Sequence, residues 1–377
     1  MGNNGQSDKH GKNDLNPWLL STINSLLQKI NPQILKYDGY YSSSKNYTQK
    51  KAGQSLHNLS RNKIIEIGGR KYQIKGCAGQ GGFAQVFKAY VNSDPDDVVA
   101  LKIQKPPFPW EFYMYRQLDM RISDKDRSSF GFAHRMHHYS DYSILVCDYL
   151  SHGTLQDAIN SYVVVGALME EVLCVYYTIE MLHILETLHA VGIIHGDFKP
   201  DNLLIRYARD DLTNGEKDFC ERNGPWHDQG LCLVDWGRGI DLHLFPDDTV
   251  FMGDSRTSGF RCIEMQEKKP WKFQVDTYGL CVIAHMMLHG SYMEIEKKAS
   301  SDRGYVYLPK ASFKRYWNVD LWKSLFGRLL NLNPSEDHKK ILRDLRVAFQ
   351  DFICSNPPMM KKLKQLLLKQ KASLCSS

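Results

Sequence analysis

No stretch of this 377-residue chain stays apolar over the roughly 20 residues that a bilayer crossing needs, so no membrane span is expected. The first residues are polar (Asn3, Asn4, Gln6, Lys9, His10), which excludes a secretory signal. Gly2 could open a myristoylation site, but Gln6 stands where Ser or Thr is wanted. Cysteine pairing is missing too: nine scattered cysteines contain no Cys-x-x-Cys, which argues against a disulfide framework and for a reducing, intracellular compartment. Cys220, His227 and Cys232 make a poor zinc set, and Cys375, third from the end, leaves no prenylation box. Neither charge sign dominates. A net charge of +6 reads as plain surface charge, compatible with an acidic partner such as chromatin. Internal repeats are lacking, which excludes a solenoid.

What remains is ordinary for a folded globular chain, with 42% hydrophobic and 24% charged residues and length for one large domain or two. One polar stretch organises it. Residues 195–202 read His-Gly-Asp-Phe-Lys-Pro-Asp-Asn between the apolar runs Val191, Ile193, Ile194 and Leu203, Leu204, Ile205. Such a loop brings one carboxylate (Asp197), one ammonium (Lys199) and one carboxamide (Asn202) into a small space. Phosphoryl transfer from a nucleotide needs that set: a carboxylate to orient the hydroxyl, a cation for the moving charge, an amide oxygen for Mg²⁺. The spacing Asp-x-Lys-x-x-Asn is that of the protein-kinase catalytic loop.

The other parts follow in order. Residues 1–13 have nothing to bury and are expected to be disordered. Asn16-Pro17 opens a helix whose apolar face (Trp18, Leu19, Ile23, Leu26, Leu27, Ile30) braces the following domain. The Ser-, Tyr- and Lys-rich residues 37–62 read as a linker. A hairpin turns at Gly68-Gly69. Then Gly79, Gln80, Gly81, Gly82, Phe83 and Ala84, with Val86 beyond, form a turn whose backbone N–H groups can approach phosphates. Ala84 replaces the usual third glycine.

Lys102, in the strand Val99-Ala100-Leu101-Lys102, needs a partner; Glu111 is the first choice and Asp119 the alternative. Residues 143–150 form a strand into a hinge, with Ala100, Cys147, Asp148 and Leu150 toward an adenine pocket. Helices follow, the longer from Val172 to His189. Residues 206–230 read as a mobile polar surface loop. Asp235 ends a buried strand as a second Mg²⁺ ligand, followed by Trp236 in place of a phenylalanine. Thr257 sits seven residues before Glu264, as does the threonine that bonds the catalytic Asp and Lys in the Ser/Thr kinases this stretch resembles; with Lys199 two residues after Asp197, that resemblance implies Ser/Thr acceptors. Asp276 should hold the catalytic-loop backbone, 292–317 reads as a less regular insertion, and 359–371 as a solvated basic last helix.

These features predict an α+β, two-lobed protein-kinase fold: N-lobe 66–150, C-lobe 151–355, preceded by 14–65 and followed by 356–377. Pro106-Pro107-Phe108-Pro109-Trp110-Glu111-Phe112-Tyr113, the 195–202 loop and Thr257-Ser258-Gly259-Phe260-Arg261-Cys262-Ile263-Glu264-Met265 resemble the Bub family of spindle-assembly-checkpoint Ser/Thr kinases. Asp-Trp-Gly at 235–237 and the basic helical arm look most like a plant member. The resemblance implies ATP and Mg²⁺ as cofactors and a nuclear, kinetochore-associated kinase acting on a histone tail in nucleosomes. It implies checkpoint and kinetochore partners, no sequence-specific nucleic-acid binding and no membrane. Relatives carry a tetratricopeptide region; residues before 66 are too few for one, so a shortened or kinase-only form is expected. Gly196 offers no cation to an activation-loop phosphate, so activity should not depend on one; residues 14–35 and the acids of 247–254 should order the loop instead. The rival reading is a pseudokinase scaffold.

Overall fold

The computed structural model describes residues 15–50, 56, 59–255 and 257–375; the expectations for 1–13 and Gly2 fall outside them. Asn16 accepts the Trp18 N–H at 3.0 Å, and the helix itself, α1, runs Leu20–Ile34, about a turn later than the Asn-Pro pair suggests. Leu19 is exposed; Ile30 and Ile34 are buried, with Leu26 and Leu27 half-buried. The stretch expected to be a linker joins the sheet. In it β1 (Tyr40–Ser42) pairs in parallel with the later strand 133–138, and α2 (Tyr47–Lys50) follows. The tyrosines counted there as linker composition are what pack: the Tyr40 ring lies tilted 5.6 Å from Phe112, and buried Tyr47 donates its hydroxyl to the Glu66 carbonyl at 2.9 Å.

The hairpin at Gly68-Gly69 is present as β2 (Ile64–Ile67) and β3 (Arg70–Gln80). Then come β4 (Ala84–Val91), β5 (Val98–Gln104), α3 (Trp110–Arg121), α4 (Asp124–Arg127), β6 (Ala133–His138) and β7 (Ser143–Asp148). The seven strands lie in the order β1-β6-β7-β5-β4-β3-β2. Alternation along β5 sends Val99, Leu101 and Ile103 into a small core with Phe87 and Ala89, leaving Ala100 and Lys102 on the opposite face. Helix α3 belongs elsewhere: Phe112, Tyr113, Met114 and Leu118 share the core of the large lobe.

That lobe comprises α5 (Leu155–Val163), α6 (Glu171–Ala190), β8 (Ile193–Ile194), β9 (Leu203–Arg206), α7 (Glu216–Glu221), α8 (Pro225–Asp228), β10 (Gly230–Leu233) and β11 (Ile240–Asp241). It continues with α9 (Ile263–Gln266), α10 (Gln274–His289), β12 (Ile295–Ser300), β13 (Gly304–Pro309), α11 (Val319–Leu329), α12 (His338–Cys354) and α13 (Pro357–Cys375). A capping box between Thr154 and Asp157 opens α5, and α6, apolar all round, runs through the core. The pair β9–β10 is nested inside the pair β8–β11, so loop 195–202 and turn 234–239 are held side by side.

Three further expectations change. Residues 206–230 are folded: Phe219 and Trp226 are buried at 4.9 Å from each other, and Arg222 neutralises buried Glu180 of α6. Residues 292–317 contain the regular hairpin β12–β13. The last helix is solvated on one side only, because Met360, Leu363 and Leu367 are buried. Among the described residues no helix is long and apolar enough to cross a membrane.

Candidate active site

Strand β5 delivers Lys102 to two carboxylates. Its Nζ lies 2.8 Å from Glu111 Oε2 and 3.1 Å from Asp235 Oδ1. Burial pushes the ammonium pKa down, but Glu111 and Asp235 more than offset this and hold it above the ordinary lysine value. Burial would raise Asp235, yet Lys102 beside it keeps its carboxyl below the usual carboxylate range. Glu111 sits in the first turn of α3 and also accepts the Trp236 N–H at 3.1 Å. Asp119, the alternative partner, instead bridges Arg116 and Arg127 at 3.1 and 2.7 Å.

The polar loop gathers the second set. Thr257 Oγ1 lies 3.5 Å from Asp197 Oδ1 and 3.4 Å from Lys199 Nζ, and Lys199 is 3.8 Å from Asp197 Oδ2. Asn202 donates its amide to the Asp197 carbonyl at 2.9 Å and to Oδ2 at 3.2 Å, which turns its own oxygen the other way. The Asn202 carbonyl accepts the Val234 N–H at 2.9 Å, so Asn202 and Asp235 are held on adjacent segments. Asp235 adopts φ 63°, a left-handed conformation rare for a non-glycine residue, which the surrounding contacts hold. Two oxygen donors of this kind fit Mg²⁺.

Asp276 accepts the N–H groups of His195 and Gly196, both at 2.9 Å. Gly196 has φ 80°. Two histidines escaped the sequence reading. His189 bonds Asp276 at 2.9 Å, and His195 joins the Val234 carbonyl at 2.9 Å while its Nδ1 accepts the Asp197 N–H at 3.1 Å. A histidine opening the polar loop and another near the end of buried α6 were usable signals; their partners Val234 and Asp276, far along the chain, were not. Trp236 is buried against His195, with ring centroids 4.8 Å apart, and donates its indole N–H to the Phe130 carbonyl at 3.3 Å.

The glycine turn joins β3 to β4, closed by the Gly81 N–H donating to the Ala84 carbonyl at 2.8 Å. A Cβ on Gly79 or Gly82 would meet nothing within 4 Å, and Phe83 at the tip is exposed. Val86 pairs with Lys102, and Ala100 with Cys147, which sets these side chains around one cleft. Burial pushes the Cys147 thiol up, so at neutral pH it is an apolar wall. The Asp148 carboxylate pairs with His134 at 2.7 Å, and its N–H donates to the Phe132 carbonyl at 3.0 Å.

Residues 15–29 hold the segment that follows Asp235. Leu15 accepts the Met252 N–H at 2.9 Å, and Lys29 donates to the Leu244 carbonyl at 3.1 Å. The Trp18 indole donates to the Arg238 carbonyl at 3.0 Å, lies 3.8 Å from that guanidinium and stacks on Trp271 at 5.0 Å. Asp254 adds an ion pair to Arg261 at 2.7 Å.

The sequence matches the protein kinase domain over residues 72–345. It is 70% identical to the mitotic checkpoint serine/threonine-protein kinase BUB1 of Arabidopsis thaliana over 96% of this chain and 69% of that protein. It is 32% identical to the spindle assembly checkpoint kinase BUB1 of Saccharomyces cerevisiae over 88% of this chain and 33% of that one. A crystal structure of BubR1 kinase domain superposes with a TM-score of 0.79 at 26% identity, covering 95% of this chain and 100% of the other. The chain therefore belongs to the protein kinases and, within them, to the Bub1 family of mitotic-checkpoint serine/threonine kinases, consistent with a plant member.

Proposed function

We propose that this chain is a catalytically active kinase that transfers the γ-phosphoryl of ATP to Ser or Thr of a histone tail in nucleosomes, at kinetochores within the nucleus. The catalytic unit is 66–355. The observation that supports turnover is the completeness of the two side-chain sets, Lys102–Glu111–Asp235 and Asp197–Lys199–Thr257–Asn202, in mutual contact. Lys102, fixed by Glu111, and the amides of 79–84 bind the phosphates. Asn202 and Asp235 would hold Mg²⁺, which supplies charge neutralisation when bound. Asp197 orients the acceptor hydroxyl and takes its proton, and Lys199 offsets charge on the moving group.

The test is transfer of label from ATP in Mg²⁺ to nucleosomes, comparing the chain with Asp197→Asn. Labelling of a histone that falls by about 10²–10⁴-fold in the variant is expected. Nucleotide binding without transfer would replace this reading with that of a scaffold.

A further inference from the structure

Beside the site lies a buried anion that the transfer chemistry does not use. Asp241, on β11, is fully buried. Arg121 of α3 grips both its oxygens, at 2.8 Å to Oδ1 and 2.9 Å to Oδ2. The Tyr113 hydroxyl donates to Oδ2 at 2.7 Å, and the His243 N–H to Oδ1 at 3.0 Å. Arg121 is itself aimed by Gln117 Oε1 at 3.0 Å. Tyr113, Gln117 and Arg121 fall four residues apart, on one stripe of α3. At the other end of the helix Trp110 donates its indole N–H to the Gly239 carbonyl at 2.9 Å, and Glu111 takes the Trp236 N–H. The helix is thus tied at both ends to the segment that starts at Asp235.

We propose that Asp241 is a positioning residue for phosphoryl transfer. It is a built-in anion that holds α3, and with it Glu111 against Lys102, where other kinases draw on an activation-loop phosphate. Removing one partner of so buried a pair leaves the other charge uncompensated, which is costly enough to free the helix end. This rests on the reading of the chain as an active kinase.

The experiment compares the full chain with Asp241→Asn, Tyr113→Phe and Arg121→Lys. It reads kcat and KM on nucleosomes and deuterium exchange of the α3 amides, at a temperature where melting curves show each variant folded. Asp241→Asn should lower kcat by about 10²-fold with KM little changed, and speed α3 exchange. Tyr113→Phe, which keeps the ring and loses one donor, should move both readouts by a smaller factor. Wild-type kcat and exchange in the folded variants would overturn the proposal. If Asp241→Asn does not fold, Tyr113→Phe and Arg121→Lys decide by the same readouts. If the unmodified chain transfers nothing, the kinase reading fails, and α3 exchange alone decides whether Asp241 anchors the helix.

Discussion

His137 is buried on β6 beneath the turn of the first hairpin, so close that a Cβ on Gly68 would fall 2.2 Å from its ring. Burial, then the charges of Arg135 and Arg70, depress its pKa from 6.5 to about 4. His289 is lowered to about 4 as well, by burial and then by His285 and Lys314. A folded-state pKa below the unfolded one means that the unfolded chain takes up the proton first. Stability from these groups is complete above 6.5 and is lost as pH falls toward about 4. Melting temperature should therefore drop across that interval, and His137→Gln should make the drop shallower; an equal slope in the variant would refute the assignment. Chemistry made the residues of the cleft legible. Lys102, Asp197, Asn202 and Asp235 must be of those types and in that order, whereas His137 carries no signal, since its depressed pKa comes from packing.

Helix α1 shows what periodicity reveals and what it hides. Its apolar stripe was readable at helical spacing, and the expected brace is there. That it orders the loop after Asp235 was expected; which residues meet was not readable, because Trp18 meets Arg238 across 220 residues of chain. Residues 206–230 illustrate the reverse: counting polar side chains missed that two aromatic rings and one buried ion pair suffice to fold them. The brace predicts that the activation segment is ordered by residues 15–29 and not by phosphate. Trp18→Ala, losing a ring stack and a cation–π contact, should cost about 2 kcal/mol in thermal or denaturant melts and lower kcat. None of Ser255→Asp, Thr257→Asp or Ser258→Asp should raise kcat, and any one that did would contradict the idea.

At the scale of the molecule the described residues form two cores, a small one inside the sheet and a large one that takes in α3, α1 and the last helix. The α+β order and the two lobes were legible because motif order is fixed along the chain; the membership of α3 in the larger core depends on tertiary contacts. Leu363, fully buried on α13, which packs on α6 and α12, tests that division. Leu363→Ala should cost about 2–5 kcal/mol and lower the melting temperature, with kcat unchanged well below the melt. A proportional loss of kcat there would mean that the last helix reaches the site. Gly196 carries a consequence for phosphate control. A Cβ on it would fall 2.5 Å from the Arg238 carbonyl and 3.2 Å from the Trp18 ring. An arginine placed there, the ordinary receiver of a loop phosphate, would need the Arg238 backbone to shift and the Trp18 ring to give with it. A receiver for phosphate at this position would therefore disturb the loop and its brace together.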